Sequence, residues 1–259
     1  MRELLHAVAA GEVSPAEAEA ELAGYVTITE GRFDATRDRR RGIPEAILAE
    51  GKSSAQVLSL ARTALDTTDR ALLTRLEDGQ TTALETTLPD EYPELTIDRR
   101  GSTALIRTGD AEPPSLDVRV GIVTAGTVDG PVADEAHLVC VDAGVTVDRI
   151  EDVGVAALDR ILDQLDRLRN VEVVIVFAGR EGALPTVVAG LVDAPVIGVP
   201  VSSGYGHGGD GEAALAGMLQ SCTVLSVVNV DAGFVAGAQA VLISRAINRA
   251  KSKADAPTK

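Results

Sequence analysis

Cysteine is scarce in this chain of 259 residues: there are two, Cys140 and Cys222, far apart in the sequence. So few thiols at that spacing exclude a disulfide framework. Lysine is scarce as well, since Lys52, Lys251, Lys253 and Lys259 are the only lysines among 24 basic residues. Against 39 acidic residues these leave a formal net charge of -15, whereas nucleic-acid binding needs a basic face. No run approaches the ~18 apolar residues of a membrane span. The acidic stretch MRELLHAVAAGEVSPAEAEA lacks the apolar core of a secretory signal, so a cytoplasmic protein is expected. Tryptophan is absent and aromatic residues make up only 2% of the chain. Few lysines, many acids and few aromatics suit a halophilic protein whose dense surface charge is heavily screened. An ordinary acidic cytosolic protein would share that composition.

Several motifs are missing too. No Gly-Lys-Ser/Thr completes a Walker loop, no GxGxxG opens a domain and no GxSxG marks a hydrolase elbow. His6, His137 and His207 show no metal-ligand spacing, and there is no CxxC. Internal repeats are absent.

What remains is a chain with 45% hydrophobic residues, ample for a core. From Leu116 onward, strand-like runs alternate with helical ones. VRVGIVTAG, VTVDRIED, VEVVIVFAG, APVIGVP and VLSVVNVD are five strand candidates, several of them continuously apolar as doubly buried strands are. Helical patterns separate them, and GFVAGAQAVLISRAINRAKSK closes the chain. The alternation specifies a flavodoxin-like, doubly wound parallel sheet, with ligands expected beyond the carboxyl ends of its strands.

The first half is mixed α+β. Ser14-Pro15-Ala16-Glu17 resembles a capping box opening a helix to about Gly24, and residues 53–66 form an amphipathic helix. ALLTRL, ELTID and TALIRT read as strands, and GDAEPPS as a linker. The expected division is a smaller domain over 1–115 and a catalytic domain over 116–259.

Five glycines between Gly204 and Gly211 follow PVIGVP and precede a short helix ending near Cys222. Such a loop brings backbone N–H groups to an anion, helped by the helix dipole. The thiol of Cys222 lies at the carboxyl end of that helix, which disfavours a thiolate, so reactivity would need a nearby base or a cationic ligand. Cys140, inside HLVCV, reads as inert core. Glu181 directly follows a strand and suits proton transfer or a helix first turn. Thr127 and Asp129, in GTVDGPVADEA, offer a hydroxyl and a carboxylate, with Asp129 also a helix cap ahead of Pro131. Asp34, Arg37, Arg40, Gly42, Pro44, Glu45 and Lys52 form a polar group in the first half, where arginines pair with phosphates or carboxylates or simply face solvent.

These motifs together carry a resemblance. DATRDRRRGIPEAI, GTVDGPVADEA, DVGVA, EGALP, SSGYG, MLQSC and VVNVD occur in the order seen in the LarB family, the carboxylase/hydrolase of nickel-pincer nucleotide biosynthesis linked to lactate racemase maturation. Its second domain is similar to aminoimidazole ribonucleotide carboxylase, the PurE family. The resemblance implies carboxylation of nicotinic acid adenine dinucleotide by carbon dioxide or bicarbonate, then hydrolysis to AMP and pyridinium-3,5-biscarboxylic acid mononucleotide. It implies Cys222 as nucleophile and Glu181 as proton handler. It makes Asp34, Arg37, Arg40 and Lys52 candidates for substrate carboxylate or phosphate, and Thr127, Asp129, Gly204, Tyr205 and Gly206 for the nucleotide site. Magnesium with unassigned ligands and a homo-octamer are implied as well. Three departures stand out: Asp159 where the family has histidine, Ala232 and Val235 within its DNGFG, and His207 in the loop. An aminoimidazole ribonucleotide carboxylase-like enzyme and a non-enzymatic nucleotide-binding protein remain as alternatives.

Overall fold

VEVVIVFAG has no polar residue over six consecutive positions, Val173 to Ala178, and β-branched side chains dominate it. Such a segment is stable only as a strand covered on both faces. In a computed structural model of the chain, which describes all residues except 16–17, 19–21, 110–114 and 255–259, that segment is the central strand of a five-stranded sheet. The chain divides into two compact units, Met1–Glu112 and Pro113–Lys259. The linker expected at 109–115 and the tail after Ala254 fall largely outside the described residues, as does much of the helix expected from Ser14.

In the first unit a helix, Arg2–Ala10, precedes a hairpin of β1 (Val26–Ile28) and β2 (Gly31–Phe33). A mixed sheet follows, built from β3 (Ala46–Leu48), β4 (Arg70–Thr74), β5 (Thr96–Arg100) and β6 (Thr103–Arg107) in the order β3-β4-β6-β5. Only the β3/β4 pair is parallel. The helix Ser54–Thr68 starts at a capping box in which Ser53 and Gln56 satisfy each other's backbone N–H. It buries Val57, Ala61, Ala64 and Leu65. A second helix, Asp78–Glu91, buries Leu84 and Leu88 in the same core. Its threonines and Pro89 are poor helix formers, so burial rather than propensity holds it.

The second unit contains β7 (Leu116–Thr124), β8 (Val145–Ile150), β9 (Val173–Ala178), β10 (Val196–Pro200) and β11 (Ser226–Val227). Their order is β11-β10-β9-β7-β8, all pairs parallel. Numbered within the unit this is 2-1-3-4-5 read from the other edge, the flavodoxin-like winding. Helices Gly130–Asp142 and Gly233–Ala254 pack closely because Gly237 admits the backbone of Ala136: a Cβ there would stand 2.8 Å from the Ala136 Cα. Glu135 accepts a hydrogen bond from the Phe234 N–H at 3.0 Å, satisfying one amide of the last helix's first turn. That helix packs on β7, β9 and β10 of its own sheet while Val235 and Leu242 stay exposed.

Two elements differ from the sequence expectation. VAALDRILDQLDRLRN forms two short helices, Leu158–Leu162 and Leu165–Arg169, rather than one. VLSVVNVD is in strand register with β10 at Ser226 and Val227 alone, though the N–H groups of Val228 and Asp231 also donate to Gly198 and Pro200, and Val224 is 96% exposed. An edge strand has a partner on one side only, so its length is set by tertiary fit rather than apolar content.

Candidate active site

In a parallel sheet every strand leaves at the same edge, so loops distant in sequence converge there. At this edge the loops after β7, β8, β9 and β10 enclose a cavity of about 500 Å³. Its wall includes Asp129, Gly154, Arg160, Arg180, Glu181, Ser203, Gly204 and Tyr205. Three of its glycines allow backbones to touch. A Cβ on Gly154 would lie 2.8 Å from the Ala125 carbonyl oxygen, and one on Gly204 would lie 2.5 Å from the Arg180 nitrogen. A Cβ on Gly179 would meet the Gly204 nitrogen at 3.1 Å. Hydrogen bonds stitch this edge: Asp152 N–H donates to Thr124 Oγ1 at 3.2 Å, and Ser202 N–H, after β10, to the carboxylate of Asp231, after β11, at 2.9 Å.

Asp129 is buried. Its carboxylate accepts from the Gly126 N–H at 2.8 Å and from the Ser203 hydroxyl at 3.3 Å. Burial pushes its carboxyl above the ordinary carboxylate range, and those hydrogen bonds pull the other way. It stands at the N-cap of Gly130–Asp142 with Pro131 in the first turn, as its spacing indicated, yet its side chain turns back to Gly126 instead of capping the helix. Arg160 donates to the carbonyls of Asp152 at 2.9 Å and Gly154 at 3.4 Å, and pairs with the Asp152 carboxylate at 3.2 Å. The Arg180 guanidinium lies over the Tyr205 ring, 4.4 Å from its centroid.

Of the residues expected to carry the chemistry, the fold gathers Glu181, Asp129, Gly204 and Tyr205 in the cavity wall. Thr127 is exposed and does not line it; Gly206 is also outside. Cys222 is exposed in the bend between the helix Glu212–Leu219 and β11. It leads into a strand, whereas the cavity is built from residues that leave strands, and Cys222 is not part of the wall. The expected anion cradle at the following helix is likewise occupied by the chain itself. Glu212 N–H donates to Gly209 O at 3.1 Å and Ala213 N–H to Gly208 O at 2.9 Å, so the glycine loop caps the helix. Asp159 is exposed and outside the cavity; its neighbour Arg160 lines it. His207 is exposed.

The first-unit residues form a separate group. Arg40 pairs with Asp34 at 2.5 Å and Arg37 with Glu45 at 2.7 Å, while Lys52 donates to the Leu48 carbonyl at 2.6 Å. Asp34 and Arg40 line an open cleft of about 730 Å³ with Tyr25, Arg32, Thr36 and Arg39; Arg37 and Lys52 do not.

Residues 119–256 match the family model of AIR carboxylase, and residues 25–107 match that of the LarB/PurE-like N-terminal domain. The chain belongs to the LarB-type family with a PurE-like domain. An uncharacterized protein of Methanocaldococcus jannaschii is 36% identical to this LarB-type chain over 262 residues, 96% of this chain and 98% of that one. Two crystal structures of Treponema denticola PurE, one of a substituted form, cover 54% of the chain. The substituted form is 17% identical, with 98% of it covered and a TM-score of 0.37; the other is 15% identical, with 99% covered and a TM-score of 0.38.

The LarB-type chain thus has a carboxylase-family domain whose cavity carries both cations and carboxylates. Arg160, Arg180 and Ser203 enter the wall without having been singled out from the sequence. Arg160 is adjacent to Asp159, Arg180 to Glu181 and Ser203 to Gly204, but adjacency alone does not say which side chain faces the cavity. Among the described residues no three His, Cys, Asp or Glu side chains converge on a metal position, and no helix is long and apolar enough to cross a membrane.

Proposed function

We propose that this chain carboxylates the pyridinium ring of nicotinic acid adenine dinucleotide and then hydrolyses the phosphoanhydride. The observation that carries the reading is the LarB-type first unit joined, in one chain, to a PurE-like unit. The cavity chemistry suits the substrate: the Arg180 guanidinium for anionic oxygens, and Glu181 as an exposed carboxylate for a proton.

A pyridinium carbon is electron-poor and does not attack carbon dioxide. In the proposed sequence the Cys222 thiolate adds to ring C4, and the ring becomes a dihydropyridine with an enamine at C5. C5 then forms a bond to carbon dioxide, leaving an iminium. Glu181 takes the C5 proton, the enamine re-forms, and breaking the S–C4 bond returns the thiolate and the aromatic ring. Water then attacks the pyrophosphate, releasing AMP and the biscarboxylated mononucleotide. Cys222 is assigned from its family position. Because it is outside the cavity wall, the adduct step requires the exposed 220–225 bend to deliver the thiol to the ring.

Asp34, Arg37, Arg40, Lys52, Thr127 and Gly206 remain proposed substrate contacts on the same family basis. Magnesium belongs to the proposal only as a counter-ion carried by the substrate pyrophosphate, since the described residues do not form a protein cage for it. A homo-oligomer, octameric by family resemblance, a cytoplasmic location and adaptation to high salt are further parts of the proposal.

One observation favours a second reading. A cavity without a thiol suits an aminoimidazole ribonucleotide carboxylase-like enzyme, whose enamine-like substrate needs no covalent activation. The test is incubation with nicotinic acid adenine dinucleotide, bicarbonate and magnesium at low and high salt, followed by mass spectrometry. AMP and the biscarboxylated mononucleotide are expected, and Cys222→Ala should abolish both. Product at full rate from Cys222→Ala removes the covalent route; no product from the parent protein refutes the whole reading.

A further inference from the structure

Many arginines of this acidic chain are matched by a carboxylate, as in Arg37–Glu45, Arg62–Glu91, Arg149–Asp134 and Arg160–Asp152. Arg180 is not one of them: among the described residues it makes no ion pair, and its guanidinium rests on the ring of Tyr205, as that of Arg32 rests on Tyr25 in the first unit. Both residues line the cavity, and the Tyr205 ring is 78% exposed. Their meeting is built into the backbone. Arg180 leaves β9 at φ 51°, and the close approach of Gly179 to Gly204 holds the β9 and β10 loops together. A stacking contact between a cation and an exposed ring is weak compared with a bidentate guanidinium–carboxylate pair. An incoming carboxylate therefore displaces the stack and leaves the ring free as an apolar surface.

Two carboxylates, Asp129 and Glu181, belong to the same wall. They repel an anionic ligand unless a cation intervenes. Arg160 is already engaged by the Asp152 carboxylate and by two backbone carbonyls. The uncommitted cation is Arg180, next in sequence to Glu181.

Resting on the function proposed above, we infer that Arg180 determines specificity for the carboxylate on the pyridine ring. It would distinguish the acid form of the dinucleotide from the amide form, with Tyr205 holding its guanidinium ready in the free protein.

The test is calorimetric binding of nicotinic acid adenine dinucleotide and nicotinamide adenine dinucleotide to the full-length parent chain, Arg180→Met and Arg180→Lys. The parent should prefer the acid. Arg180→Met should weaken the acid by about tenfold or more, the range of a charge-assisted pair, and leave the amide within about threefold. Arg180→Lys should fall between, keeping the charge and losing the planar fork. Equal weakening of both ligands in Arg180→Met would overturn the inference, because it would place the guanidinium on a phosphate common to both. Unchanged acid preference would overturn it as well. If the parent binds neither dinucleotide, the proposed function itself fails, a result distinct from a parent that discriminates through some other residue.

Discussion

Adding one methyl group at Gly204 tests how the cavity is built. The new Cβ would stand 2.5 Å from the Arg180 backbone nitrogen and 3.1 Å from its Cα. Neither is the end of a flexible side chain, so the clash cannot be relieved by a rotamer change. Restoring ordinary contact at 3.4 Å requires the β9 and β10 loops to part by about 0.9 Å. Overpacking of this kind costs about 1–3 kcal/mol. With a urea slope of about 2 kcal/mol per M, the midpoint falls by about 0.5–1.5 M. Displacement of catalytic or substrate-holding groups by ~1 Å costs roughly a hundredfold in rate, so turnover should fall more than stability alone explains. Gly130→Ala is the control, since its Cβ meets nothing within 4 Å and it belongs to a helix, where alanine is favoured over glycine. Far-UV circular dichroism is the appropriate probe, as the chain has no tryptophan. A Gly204→Ala variant that unfolds with the parent and turns over at its rate would refute the backbone-contact argument.

Other outcomes follow from the same geometry. Burial raises the Asp129 carboxyl from its ordinary 3.8. The unfolded chain therefore loses that proton first, and the group's contribution to stability is present below 3.8 and lost as pH rises through its folded value. Asp129→Asn, whose carbonyl can still accept from Gly126, should gain stability relative to the parent as pH rises from about 4 to about 7; parallel pH profiles in denaturant titrations would contradict this. A disulfide reagent should titrate a single thiol in the folded protein, because Cys222 is exposed while burial pushes the Cys140 thiol up to about 12. The second thiol should react only on unfolding, and two fast thiols in the native protein would show that the helix Gly130–Asp142 is not packed as described. Phe177→Ala, in the centre of the sheet unit and fully buried, should cost about 3–5 kcal/mol in denaturant titration; a loss below about 1 kcal/mol would refute its place in the core.

The second unit was largely legible because its signal is local. Continuous apolar runs such as Val173–Ala178 state their burial directly, and the turns between them fix the alternation. The first unit was less so. Asp78–Glu91 is rich in threonine and contains Pro89, so its helix is invisible to propensity. β1, β2 and β3 are three residues each, too short to show a period. In the site, Glu181 could be found because it closely follows a strand, and Asp129 because it precedes Pro131 at the start of a helix. Arg160 and Arg180 could not, since an arginine at a loop reads the same whether it faces solvent or a cavity.

The sequence by itself determined a doubly wound sheet and the ordered motifs that mark its family. Those follow from periodicity and chain order, which are properties of neighbouring residues. Tertiary structure decided which side chains meet. It brought Gly179 against Gly204, laid Arg180 on Tyr205, buried Asp129 beneath Ser203, and left Cys222 on an exposed bend outside the cavity. Those outcomes depend on the convergence of loops up to 74 positions apart, as between Asp129 and Ser203. Local pattern carries no record of distances across that span.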